Sequence, residues 1–135
     1  MISTCPFCPS NRPGRDATLL ENRSAYFIRS LDPVLQCAGM IIPFRHVVTP
    51  FDLARDEWLD TFDLLSRAKL ILDEEGPGGY NVGWNIGQVA GQTVPHVHLH
   101  VIGRFSDEPL AGQGIRHHFR HDDNRRRSAS FAGRV

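Results

Sequence analysis

The chain has 135 residues, 41% hydrophobic and 22% charged, a length and balance that predict one compact domain able to bury its own core. Fifteen Lys and Arg offset fifteen Asp and Glu, so no overall charge draws the chain to nucleic acid or to an anionic membrane surface. The apolar stretches fall far short of the roughly 20 residues that span a bilayer, and Met1-Ile2-Ser3-Thr4 is no secretory leader, so a soluble cytoplasmic protein is expected.

In chain order, the first feature is Cys5-Pro6-Phe7-Cys8, which holds two of only three cysteines. An odd count with this spacing does not suit a secreted disulfide framework and leaves metal binding or redox chemistry open. Ala25-Tyr26-Phe27-Ile28 and Met40-Ile41-Ile42 read as two strands separated at Leu31-Asp32-Pro33, the second ending at Pro43. Trp58, Phe62, Leu65, Ala68 and Leu72 then recur at steps of three and four, which predicts an amphipathic helix between residues 51 and 75. Asp52 is the expected N-cap and Gly76-Pro77-Gly78-Gly79 the stop. Strands return at Tyr80-Asn81-Val82-Gly83-Trp84 and, after the glycines Gly87 and Gly91, over residues 94–102. This order gives an α+β domain with a mostly antiparallel sheet. The polar run from residue 120 to 135 is expected to be a flexible tail.

The chemistry gathers in His96-Val97-His98-Leu99-His100-Val101. Alternation along a strand sets the three imidazoles on one face and Val97, Leu99 and Val101 on the core face. A solvated face or a three-histidine zinc site would also use this pattern. Imidazole, however, is both a nucleophile and a proton carrier near neutral pH, and Gly91-Gln92-Thr93 just upstream offers close backbone approach and uncharged hydrogen-bonding groups. That combination suits phosphoryl chemistry without a P-loop, whose motif is absent.

The stretch GQTVPHVHLHVIGR resembles the signature of the histidine triad (HIT) family of nucleotide hydrolases and transferases. The likeness extends through PVLQCAGMIIPFRH and GGYNVGWNIG, over roughly residues 5–116, and is strongest to bacterial diadenosine polyphosphate hydrolase-type members. It implies a HIT domain over residues 1–119, with a mostly antiparallel five-stranded sheet, one long helix and a shorter one, and a homodimer that binds neither nucleic acid nor membrane. By the same resemblance, His98 attacks an α-phosphate of a purine nucleotide and becomes transiently nucleotidylated. His96 and His100 flank it, and His100 is expected to fix its tautomer. Gln92, Thr93 and Asn85 are expected around the transferred phosphate. His100 stands where related uridylyltransferases carry Gln, which favours hydrolysis over transfer. Diadenosine polyphosphates are the expected substrates, with nucleoside phosphoramidates the close alternative and a slow nucleotide-binding adaptor a third.

Cys5 and Cys8 supply half of a tetrahedral zinc site. His46, from Pro43-Phe44-Arg45-His46, and His96 are the candidates to complete it, a combination some HIT proteins use. A redox pair or an unligated remnant are the other readings. The chain departs from the family where ribose is usually held, with Ser30 and Asp32 in FIRSLDP, and again at Cys37-Ala38. Phe27, Ile28 and Leu31 either line an apolar base pocket or are plain strand core.

Overall fold

The computed structural model describes residues 4–12 and 17–127. Five strands run β1 (Thr18–Glu21), β2 (Ala25–Arg29), β3 (Ala38–Pro43), β4 (Gly79–Trp84) and β5 (Leu99–Arg104), with one helix, α1 (Arg55–Asp73), between β3 and β4. They form one antiparallel sheet in the order β1-β2-β3-β5-β4. The last strand therefore inserts beside β3 and leaves β4 on an edge. Besides α1, the helical structure among the described residues is limited to three-residue 3-10 turns such as Pro50–Asp52 and Asp122–Asn124. Residues 128–135 of the expected tail lie outside the described residues.

β3 is covered on both faces, which is why AGMIIP has no alternation, whereas β5 alternates buried with half-buried as LHVIGR suggests. One face carries Ala25, Phe27, Ile41, Leu99 and Val101 against Leu64, Ala68 and Leu72 of α1. Phe27 packs so closely over Gly39 that a Cβ at residue 39 would lie 2.4 Å from its ring, so β3 needs glycine there. The helix turns Ala68 and Leu72 of the expected stripe inward, with Leu65 packed against the core, but at its start Thr61 and Leu64 take the inward place of Trp58 and Phe62. Thr61, Leu64, Ala68 and Leu72 are buried, while Phe62 is 68% exposed and Trp58 lies on the flank, its ring 5.2 Å from that of Trp84 on the edge strand. Asp52 is not the N-cap. It belongs to the preceding 3-10 turn, and the cap is Ala54, whose backbone N–H donates to Oε1 of Glu57 at 2.8 Å. β1, four residues long, was not among the strands read from the residues. It is tied to β2 by Asn22, whose Oδ1 accepts from the N–H groups of Ser24 and Ala25, both at 3.0 Å.

Candidate active site and metal centre

The second sheet face carries the histidines. The expected strand over residues 94–102 starts only at Leu99, so His100 is a strand residue and His96 and His98 lie in the approach to it. The chain there is held by other means. Val97 N–H donates to Val47 O at 2.7 Å, and His98 Nδ1 lies 2.8 Å from the carbonyl of His96. A carbonyl can only accept, so Nδ1 carries the proton and the neutral ring keeps a lone pair on Nε2. His98 is 6% exposed, walled by the rings of Phe7 at 5.1 Å and His100 at 4.9 Å.

The tautomer of His98 is thus set by a main-chain carbonyl, where His100 had been expected to set it. His100 makes a ring-edge contact, and burial pushes its pKa down, which favours the neutral ring. Gln92 is also not free to meet a phosphate. Its side chain is buried and its amide is used within the fold: Oε1 accepts from Gly87 N–H at 2.9 Å, and Nε2 donates to Val48 O at 2.8 Å and Val94 O at 3.2 Å. It closes the turn through Gly87 and Gly91, both at positive φ, where glycine is unstrained. Thr93 and Asn85 are exposed at that turn. The Asn85 amide is 3.9 Å from where a Cβ on Gly91 would stand, so residue 91 is small beside it. Asn85 and His98 each come one step beyond the last paired residues of their strands, Trp84 and Leu99.

Beside His100 opens a cavity of about 420 Å3, lined among others by Phe7, Ile28, Ser30, Leu31, Asp32 and Met40. It has a mostly apolar lining with a few polar groups, the form of a small-molecule site. Ser30 and Asp32 stand at it, but each already serves the turn. Ser30 Oγ accepts from Asp32 N–H at 3.0 Å, and Asp32 Oδ1 accepts from the N–H groups of Val34 and Leu35, which holds the Asp32 carboxyl below its usual pKa. Asp32 Oδ2 has none of these contacts. Phe27 is not part of this cavity. It is fully buried on the helix side, because one step along β2 reverses the face, and Ile28 takes the place beside the cavity. Phe7 is the residue that the sequence reading missed. Its signal was its position inside Cys-x-x-Cys, which ties an aromatic ring to the fate of both thiols.

The second centre lies behind Phe7. His96 Nε2 is 2.7 Å from the carbonyl of Pro43 and so bears the proton, which turns the lone pair on Nδ1 inward. Facing it are His46 Nδ1 at 3.1 Å, Cys5 Sγ at 3.4 Å and Cys8 Sγ at 3.8 Å, with Cys8 Sγ also 3.3 Å from His46 Nδ1. The four ligand atoms all lie within 4.8 Å of one another. A tetrahedral zinc site with metal–sulfur bonds of about 2.3 Å and metal–nitrogen bonds of about 2.0 Å has ligand-to-ligand edges of roughly 3.3–3.8 Å, so the donor set fits such an ion. Burial pushes His96 down and the Cys5 thiol up, and a dication would reverse the second preference by holding thiolate. The loop is tied in place around the centre. Tyr26 Oη donates to Phe7 O at 2.7 Å, its own pKa pushed up to about 12 by burial, and Arg45 next to His46 pairs with Glu57 at 2.7 Å.

Fold and site together define a small α+β domain whose antiparallel sheet packs α1 on one face and gathers three alternate histidines on the other. The chain belongs to the HIT domain family, whose model matches residues 14–107. It is 37% identical over 92 residues to the asymmetrical bis(5'-nucleosyl)-tetraphosphatase of Schizosaccharomyces pombe, which covers 64% of this chain and 50% of that protein. It is 28% identical over 96 residues to an adenosine 5'-monophosphoramidase of the same yeast, over 71% of this chain and 70% of that one. The chain therefore spans half the length of the first relative. Among solved structures, a zinc-bound histidine triad family protein from Mycobacterium smegmatis superposes with a TM-score of 0.68 at 25% identity, over 81% of each chain.

Proposed function

We propose that the protein is a nucleotidyl hydrolase that cleaves at an α-phosphate through a covalent intermediate on His98, with diadenosine polyphosphates as its substrates. The observation that carries this is the hydrogen bond from His98 Nδ1–H to His96 O, which keeps the Nε2 lone pair uncommitted on a ring packed against Phe7 and His100, both of which line a nucleoside-sized cavity. In the first step, Nε2 forms a bond to the α-phosphorus as the bond to the leaving phosphate oxygen breaks, and that oxygen departs with the electron pair. In the second, water attacks the same phosphorus, the N–P bond breaks, Nε2 recovers its lone pair and the water proton leaves to solvent or leaving group. The imidazolium that exists between these steps keeps its Nδ1–H bond to a neutral carbonyl, so its charge is stabilised without a carboxylate. Asn85 and Thr93 serve the phosphate oxygens, and Ser30 and the free oxygen of Asp32 the ribose hydroxyls. Gln92 supports catalysis by holding the turn that presents Asn85.

Phosphoramidates are the second substrate class, favoured by the match to a monophosphoramidase over 70% of its length. Zinc is proposed on Cys5, Cys8, His46 and His96 as a structural ion with four protein ligands, fastening the segment of residues 5–8 to the sheet. A homodimer is proposed through the β4 edge and the exposed rings of Trp58 and Phe62. No helix among the described residues is long and apolar enough to cross a membrane. Cys5, Cys8 and Cys37 are buried and form no disulfide, which suits a reducing compartment and supports a cytoplasmic location. The test is the release of nucleoside monophosphate from diadenosine tetraphosphate by wild type and by His98→Ala. Rapid release that the substitution abolishes is expected, and equal release by both would overturn the reading.

A further inference from the structure

The face that carries His100 has a second hollow at its other end. Directly opposed residues of neighbouring strands share a face, and two such rows cross the sheet here. Ile28 opposes Met40, Met40 opposes His100 and His100 opposes Gly83; alongside, Ala38 opposes Ile102 and Ile102 opposes Asn81. At the β2 and β3 end these rows form the base of the nucleoside cavity. At the β4 end, Gly83 lies under Ile115, since a Cβ on Gly83 would come within 4.0 Å of its Cδ1. Asn81 and Ile115 there belong to an open cleft of about 700 Å3 whose walls include Arg116, His117, Arg120 and His121. His100 thus stands between two hollows on one surface.

The two differ in charge. No carboxylate lines the cleft, and neither Arg116 nor Arg120 has an acidic partner among the described residues. The nearby carboxylates of Asp122 and Asp123 pair with Arg125 and His121, the latter at 3.5 Å. Two uncompensated guanidiniums in a concavity form a receptor for phosphate oxygens, which they can bind bidentately. In-line displacement at an α-phosphate expels the leaving group opposite the attacking nitrogen while the nucleoside oxygen stays equatorial, so the departing phosphates lie outside the cavity that holds the nucleoside. We infer that the cleft of Arg116 and Arg120 holds the polyphosphate leaving group, and so makes the enzyme selective for nucleotides that depart as a phosphate chain over those that depart as an amine. This rests on the hydrolase reading above. An amine leaving group has no phosphate for the cleft to hold, so selectivity between the two proposed substrate classes is the property at stake.

The direct probe is inorganic tripolyphosphate, titrated calorimetrically into wild type, the Arg116→Ala/Arg120→Ala double variant, and Arg67→Ala, which removes an exposed charge from α1 on the other face. Binding that weakens about tenfold or more in the double variant and is unchanged in Arg67→Ala is expected. Equal binding in all three, or none to wild type, would overturn the inference. Both arginines are exposed, and Arg116→Gln/Arg120→Gln repeats the test with bulk retained. In kinetics, the ratio of kcat/KM for diadenosine tetraphosphate to that for adenosine phosphoramidate should fall about tenfold in the double variant, and an unchanged ratio would contradict the cleft's role. If wild type hydrolyses neither compound, the hydrolase reading fails, while the tripolyphosphate titration still decides whether the cleft is a polyphosphate site.

Discussion

His96 and His98 are two residues apart, both nearly without solvent contact, and the fold gives them opposite tautomers. His96 donates from Nε2 to the carbonyl of Pro43 and turns Nδ1 toward two thiols and a second imidazole. His98 donates from Nδ1 to the carbonyl of His96 and leaves Nε2 open. The same side chain turns Nδ1 toward thiols in one place and keeps Nε2 uncommitted in the other because a different carbonyl takes its proton, which is what the proposed ligand and the proposed nucleophile each require. The two regions are also joined in series. The residue whose ring nitrogen faces the thiols is the residue whose carbonyl orients His98, and Phe7, carried between the two cysteines, packs edge-on against both rings at 6.0 and 5.1 Å.

The largest expected effect comes from removing the nucleophile. His98→Ala should lower turnover by at least about a thousandfold, as loss of a covalent catalyst does, while nucleoside monophosphate binding measured by calorimetry stays close to wild type. Loss of metal binding comes next. Cys8→Ser, or prolonged chelation of wild type, should remove the ion and lower the thermal midpoint. Both should also lower the rate at His98, since the His96 carbonyl is no longer fixed by the ligand on its own ring. Metal content well below one equivalent per chain in untreated protein, or chelation that leaves the midpoint in place, would separate the two regions.

A smaller effect is expected at Gln92. Replacement by Ala leaves Gly87 N–H and the carbonyls of Val48 and Val94 without its amide. Denaturant unfolding should show a cost of about 1–3 kcal/mol, and kcat should fall because Asn85 loses its support. A variant as stable as wild type that had nonetheless lost its catalytic rate would return Gln92 to direct phosphate contact. The smallest effect is one of pH. Burial lowers the His100 pKa from its ordinary 6.5, so below that value the unfolded chain binds more protons than the folded one. Stability should therefore rise with pH from the depressed value up to about 6.5 and flatten above it. His100→Asn should reduce this slope, as urea midpoints between pH 5 and 7 would show.

How much of this could be read from the residues divides along the same line. The meeting of Cys5 and Cys8 with His46 and His96 was legible because each belongs to a short motif whose spacing fixes which chemistry can meet. The core helix was legible in extent and, from Leu65 to Leu72, in its facing, but not in its first turns, where Phe62 and Trp58 carry the apolar spacing and the fold leaves them on the flank. The tautomers were not legible, since both acceptors are main-chain carbonyls, which no side-chain pattern records. The role of Gln92 was hidden for the same reason. Phe27 and Ile28 were both named for the pocket, and only strand register separates them, with Phe27 in the core and Ile28 at the cavity.

The most direct test of the opposed tautomers is a long-range proton–nitrogen NMR spectrum of the imidazole rings of the metal-loaded protein, assigned with His96→Gln and His98→Gln. The account predicts His98 protonated on Nδ1 with a free Nε2, and His96 protonated on Nε2 with its Nδ1 resonance shifted by the ion. His98 found with its proton on Nε2 would contradict it, because the nitrogen assigned to attack would then have no lone pair to give.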